Sequence, residues 1–114
     1  MIHADAATLD ATLARWREAR LDNLRGIVLE TPGRSGGSGQ ENDWEAIRLA
    51  QERGSFDGLP PMILAGGLHP GNVAAVVRML RPSAVDVSSG VEAARGQKSA
   101  TRIYQFITAV RSAD

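Results

Sequence analysis

A chain of 114 residues with thirteen basic and thirteen acidic side chains, 43% apolar composition and no cysteine has the size of one globular domain and no net charge to set against nucleic-acid phosphates. Disulfides and cysteine-ligated metals are excluded, and the wide separation of His3 and His69, the two histidines, argues against any metal site built on histidine. No apolar run approaches the roughly 20 residues of a membrane-spanning helix and no signal-peptide pattern opens the chain, so the expectation is a cytoplasmic protein with no membrane and no nucleic-acid partner.

Ile2 and His3 read as the last residues of a strand, and Asp5 as the N-cap of a helix from Ala6 to about Arg20. Leu9, Leu13 and Trp16 fall on one face of that helix, at i, i+4 and i+7. Leu24 to Leu29 predicts a short buried strand, ending at Glu30 and the breaker cluster Thr31 to Gly39. Asn42 followed three residues later by Glu45 resembles a capping box, opening a helix through about Arg53 that Gly54 stops. Pro61 to Ala65 predicts a second strand, closed by Gly66 and Gly67, with Pro70 at the start of a helix whose apolar face is Val73, Val76, Val77 and Leu80. Ala84 to Val87 predicts a third strand before Ser88, Ser89 and Gly90. A closing helix begins near Ser99 and repeats Ile103, Phe106, Ile107 and Val110 on one face.

Short apolar strands alternating with amphipathic helices define an α/β fold of parallel βα repeats. Functional groups in such folds collect on the loops after the strands' carboxyl ends. Those loops carry Glu30, the Gly66-Gly67 pair, and Asp86 with Ser88, Ser89 and Gly90. Glycine lets backbone N–H groups approach an anion, so the two later loops suit a phosphate; equally, their glycines would serve only to turn the chain from strand to helix. Gly36, Gly37 and Gly39 read either as a flexible surface loop or as a ligand-gripping one. Glu30 and Asp86 beside apolar strands suit general acid or base work, or else sit as a solvated strand end and a carboxylate held by backbone N–H groups. His69 reads as a loop or cap residue, and Trp16 and Trp44 as packing residues.

Three segments, LETPGRSGGSGQENDW at 29 to 44, PMILAGGLHPGNV at 61 to 73 and AVDVSSGVE at 84 to 92, together resemble the C-terminal half of phosphoribosylanthranilate isomerase. Gly96-Gln97-Lys98 is similar to a further family segment, and Ile103, Phe106 and Arg111 match its final helix. The resemblance implies the C-terminal half of a TIM (βα)8 barrel, a fold of about 200 residues or more. Residues 1–114 then form a single half-barrel domain, running from the end of the family's fifth strand to its eighth helix. The family's reaction is an Amadori rearrangement of N-(5-phosphoribosyl)anthranilate in tryptophan biosynthesis, with neither metal nor organic cofactor. By resemblance Glu30 takes the position of the general acid, where the family has Asp. Asp86 matches a substrate-positioning Asp, and Gly66, Gly67, Ser88, Ser89 and Gly90 match the phosphate-holding loops. The family's base, a cysteine near the N-terminus, has no counterpart here. His69, Arg95 and Ser99 also depart from the family pattern.

These readings leave three functions open: an isomerase half completed by a second chain, a phosphosugar-binding or structural remnant without turnover, and a fragment of a longer enzyme. The expected ligand is a phosphorylated sugar. Self-association is expected as well, as a homodimer or higher oligomer, because three strands and a strand end cannot close a barrel. The strand residues Ile27, Val28, Leu29, Met62, Ile63, Leu64, Val85 and Val87 are the candidates for an uncovered apolar face.

Overall fold

The structure, a computed structural model, describes residues 1–19, 22–31 and 44–113. Four strands, β1 (Ile2–His3), β2 (Ile27–Glu30), β3 (Met62–Ala65) and β4 (Ala84–Val85), form one parallel sheet in the order β1-β2-β3-β4. Helices α1 (Leu9–Ala19), α2 (Trp44–Glu52), α3 (Val73–Leu80) and α4 (Ala100–Ser112) follow the four strands in turn. Sequence-adjacent strands thus pair side by side, as parallel βα repeats require.

Alternation along the strands decides where the core lies. Ile27 and Leu29 are buried on β2, whereas Val28 and Glu30 between and after them are half-exposed. In parallel register Ile2, Leu29, Leu64 and Val85 align across the sheet, as do Val28, Ile63 and Ala84. The first row packs against Leu9, Leu13, Ile47, Val73 and Leu80 of the helices. The helices therefore cover one face. Of the candidates for an uncovered apolar face, Ile27, Leu29, Met62 and Leu64 belong instead to the core, and the open face is the row containing Val28 and Ile63.

Polar bonds tie the helical layer together. Asp10 on α1 receives Arg53 Nη2 and Ser55 Oγ, both at 2.7 Å. Gln51 Nε2 donates to the Leu80 carbonyl at 2.8 Å, and Arg78 Nη2 to that of Ser112 at 3.2 Å.

Several boundaries move from their expected places. Asp5 does accept Ala7 N–H at 2.9 Å, but it caps a turn, and α1 proper starts at Leu9. Trp16 lies at the margin of the apolar face, 36% exposed. The third predicted strand shortens to Ala84–Val85. Asn42 lies outside the described residues, and Glu45 is engaged by Arg48 Nε at 3.0 Å, an i,i+3 pair on α2 itself. On α4 only Phe106 of the expected stripe is buried; Ile103 and Ile107 are 39% and 44% exposed, although the helix packs on α3 and on the turn at Ser89–Val91. A small antiparallel pair, β5 (Glu92–Ala94) with β6 (Gln97–Lys98), separates β4 from α4. Among the described residues no helix is long and apolar enough to cross a membrane.

Candidate functional site

Parallel pairing places the carboxyl ends of the strands in one row. His3, Glu30 and Ala65 are register partners, and Asp86 follows β4 with its N–H bonded to the Leu64 carbonyl at 2.9 Å. Two carboxylates thus flank a residue with a single methyl, which leaves space between them. That space opens a cavity of about 220 Å³. Its wall is made by Glu30, Asp86, the Gly66-Gly67 turn and Ser88 through Gly90. All seven residues singled out from the sequence line this one concavity.

Glu30 keeps 39% of its side chain exposed and stands 3.8 Å from His3 Nδ1, beyond hydrogen-bonding distance. Asp86 is exposed. Solvent reaches both carboxylates, so neither is a charge sealed in an apolar strand end.

The glycine turns have a packing reason of their own. Gly66 and Gly67 take φ of +88° and +71°, which only glycine adopts freely. A Cβ on Gly66 would run into the Thr31 carbonyl oxygen and stand 2.9 Å from the Thr31 nitrogen. One on Gly90 would run into the Leu68 carbonyl oxygen and stand 3.0 Å from His69 Cα. These two glycines let the turn after β3 touch the chain on either side of it. The chain-turning reading therefore has a packing basis at Gly66 and Gly90.

Sequence reasoning missed the residues that hold these turns in place. Thr31, fully buried, donates its Oγ1 to the Gly66 carbonyl at 2.8 Å, and its N–H to that of Ala65 at 3.1 Å. Asn72 Nδ2 donates to the Gly67 carbonyl at 2.8 Å, while its Oδ1 accepts His69 N–H at the same distance. His69 Nδ1 accepts Gly71 N–H at 3.0 Å, which makes it a loop residue, as expected. Beyond the cavity, Lys98 Nζ donates to the Ser88 carbonyl at 2.9 Å and to Glu92 at 2.6 Å. The Thr31 bond is not legible from spacing, since it joins segments 35 residues apart that only the fold brings together; those of His69 and Asn72 are local to the turn after β3.

Gly36, Gly37 and Gly39 lie outside the described residues. Among the described residues no group of three or more His, Asp or Glu side chains is placed to hold a metal ion. A larger cavity, about 590 Å³, lies between the end of α1 and the segments leading into β2 and β3, lined by Trp16, Arg17, Leu24 and Pro61 among others. It is remote from the carboxyl-end row and gathers no catalytic constellation.

Comparison with known proteins supplies the context. The family profile of N-(5'-phosphoribosyl)anthranilate (PRA) isomerase matches residues 9–109. The N-(5'-phosphoribosyl)anthranilate isomerase of Moorella thermoacetica is 45% identical over 112 residues, covering 96% of this chain and 45% of the relative. The crystal structure of the Thermotoga maritima phosphoribosyl anthranilate isomerase superposes with a TM-score of 0.72 at 34% identity, over 97% of this chain and 49% of that one. A phosphoribosyl anthranilate isomerase in complex with reduced 1-(o-carboxyphenylamino)-1-deoxyribulose 5-phosphate gives 0.68 at 30% identity, over 97% and 46%. The chain spans about half the length of the relatives it matches.

Proposed function

Since the chain belongs to the N-(5'-phosphoribosyl)anthranilate isomerase family, we propose that it supplies the phosphate grip and the general acid for isomerisation of N-(5'-phosphoribosyl)anthranilate in tryptophan biosynthesis. One observation carries the reading: Glu30, Asp86 and the two small-residue turns line a single cavity at the carboxyl ends of β2 to β4. Glu30 protonates the furanose ring oxygen as the ring opens, Asp86 orients the opened sugar, and the Gly66-Gly67 and Ser88-Ser89-Gly90 turns receive the phosphate. Removal of the C2 proton then requires a base, and this chain has no cysteine to match the family's. Glu30 is also one methylene longer than the Asp of the family pattern, and a displacement of about 1 Å costs on the order of 100-fold in rate.

The isolated chain, taken as one domain of residues 1–114, therefore binds a phosphorylated sugar in the cytoplasm without turning the substrate over efficiently, and uses neither metal nor organic cofactor. Among the described residues the sheet has two free edges and an open face, which support its pairing with a second copy.

Isothermal titration with inorganic phosphate and with ribose 5-phosphate tests the ligand. Saturable binding is expected, and Gly67→Asp should abolish it by placing a carboxylate in the anion's path. At a hundredfold excess over the dissociation constant the ligand should add about 2.7 kcal/mol of stability. Absence of both heat and thermal stabilisation would sink the reading. The isomerisation itself is followed by loss of anthranilate fluorescence: turnover abolished by Glu30→Gln would show that another residue has assumed the role of base.

A further inference from the structure

Lys98 sits at the end of β6, opposite Glu92 in the antiparallel β5–β6 pair. An ammonium group has three donors and no acceptor. All three are spent inside the same turn: on the Ser88 carbonyl at 2.9 Å, the Ser88 hydroxyl at 3.2 Å and Glu92 Oε2 at 2.6 Å. The other Glu92 oxygen accepts Gly96 N–H at 3.2 Å, and the Glu92 side chain is only 17% exposed. From the far side, Ser99 N–H bonds to the carbonyl of the buried Val91 at 2.8 Å, immediately before α4 begins.

The segment so gripped is a short 3-10 turn, Ser89–Val91, closed by two bonds, Val91 N–H to the Ser88 carbonyl at 3.3 Å and Glu92 N–H to the Ser89 carbonyl. A short 3-10 turn has poorer hydrogen-bond geometry than an α-helix and gains from outside support. Ser89 and Gly90 nevertheless form part of the cavity wall.

We propose that Lys98 and Glu92 form a neutral strap that fixes the Ser88–Gly90 turn, so that Lys98 is a positioning residue for the anion site and not a ligand of the anion. The proposal rests on the reading of that turn as a phosphate loop. A lysine beside a phosphate site would ordinarily be taken as a phosphate ligand; here its charge is paired and its donors are occupied.

Lys98→Met, Lys98→Arg and Glu92→Gln, each made in the full chain, test the strap by two readouts. Amide hydrogen exchange at Val91, Glu92 and Ser99, the hydrogen-bonded amides of the turn, should accelerate by about tenfold or more in Lys98→Met and Glu92→Gln, with the exchange of the β2 and β3 amides unchanged. Affinity for inorganic phosphate should fall in both, and Lys98→Arg, which keeps the charge and several donors, should restore most of each property. Glu92→Gln is the discriminating variant: a Lys98 that binds phosphate directly would be released by it, and affinity would rise. A rise in affinity, or unchanged exchange in the turn, overturns the strap. Accelerated exchange in a protein whose wild type binds no phosphate upholds the strap and overturns the ligand reading instead.

Discussion

Gly90 and Leu68 touch across two loops with no room for a side chain between them: a Cβ at position 90 would fall inside the contact distance of the Leu68 carbonyl oxygen and 2.9 Å from its carbon. The obstruction is backbone, which cannot swing aside as a long side chain would. Leu68 is itself 3% exposed and locked in the core margin. Gly90→Ala should therefore force the turn after β4 away from the turn after β3, at a cost of about 1–3 kcal/mol. Urea unfolding measures the loss, and a stability within error of wild type would show that the two loops separate freely.

Thr31 and Gly66 give a second, independent test of the same wall. The Thr31 hydroxyl is buried and donates to the Gly66 carbonyl at 2.8 Å. Thr31→Val keeps the volume and removes the donor, which should cost about 1–3 kcal/mol by leaving a carbonyl without its partner. Thr31→Ser keeps the donor and should cost less. Reversal of that order would assign the residue's value to its methyl group.

How much of this was visible in the sequence depends on the range of the interaction. The alternation of strands and helices was legible because Leu9 and Leu13, or Val73 and Val76, repeat with the period of a helix that buries one face. Ser99 was legible as the start of α4, where it accepts Arg102 N–H at 3.1 Å. The loop residues of the cavity were found through segment resemblance and their place after strands. Thr31 was not legible, because a threonine in a breaker cluster looks solvated and its partner lies 35 residues away. The β5–β6 pair was too short for any periodicity to register. The exposure of Ile103 and Ile107 was not legible, because the period of α4 says which residues share a face, not whether another element covers it.

Acid should release the strap only below the ordinary carboxylate range. The Lys98 ammonium, then the Gly96 N–H and the nearby Arg95 charge, hold the Glu92 carboxyl below the ordinary carboxylate range. Since its folded value is depressed, the stabilisation is fully present above the unfolded value of about 4.3 and is lost as pH falls through the folded one. The turn should stay closed throughout the neutral and mildly acidic range. Carboxyl carbon shifts of Glu92 followed with pH check this, and a midpoint at or above the ordinary range would mean that Lys98 does not engage it in solution.

Self-association remains the strongest expectation about the assembled protein, and the fold narrows where it occurs. β1 and β4 each pair with one neighbour, so both edges of the sheet present free backbone groups among the described residues. The uncovered face carries Val28 and Ile63, both half-exposed, with Ala84 in the same row. A second apolar surface, Ile103, Tyr104 and Ile107 on α4, is 39%, 72% and 44% exposed. Each aliphatic side chain left in water forgoes up to about 1.5–3 kcal/mol relative to full burial, so a partner that covers either surface is favoured. The two surfaces predict different variants. Ile63→Lys should dissociate an assembly built face to face on the sheets, whereas Tyr104→Lys should leave it intact; the converse would place the contact on α4. Light scattering at micromolar concentration should give twice the 12.1 kDa chain mass or a higher multiple for the wild type. A monomer that unfolds cooperatively at the same midpoint across a hundredfold dilution would show that four parallel strands with one bare face suffice alone.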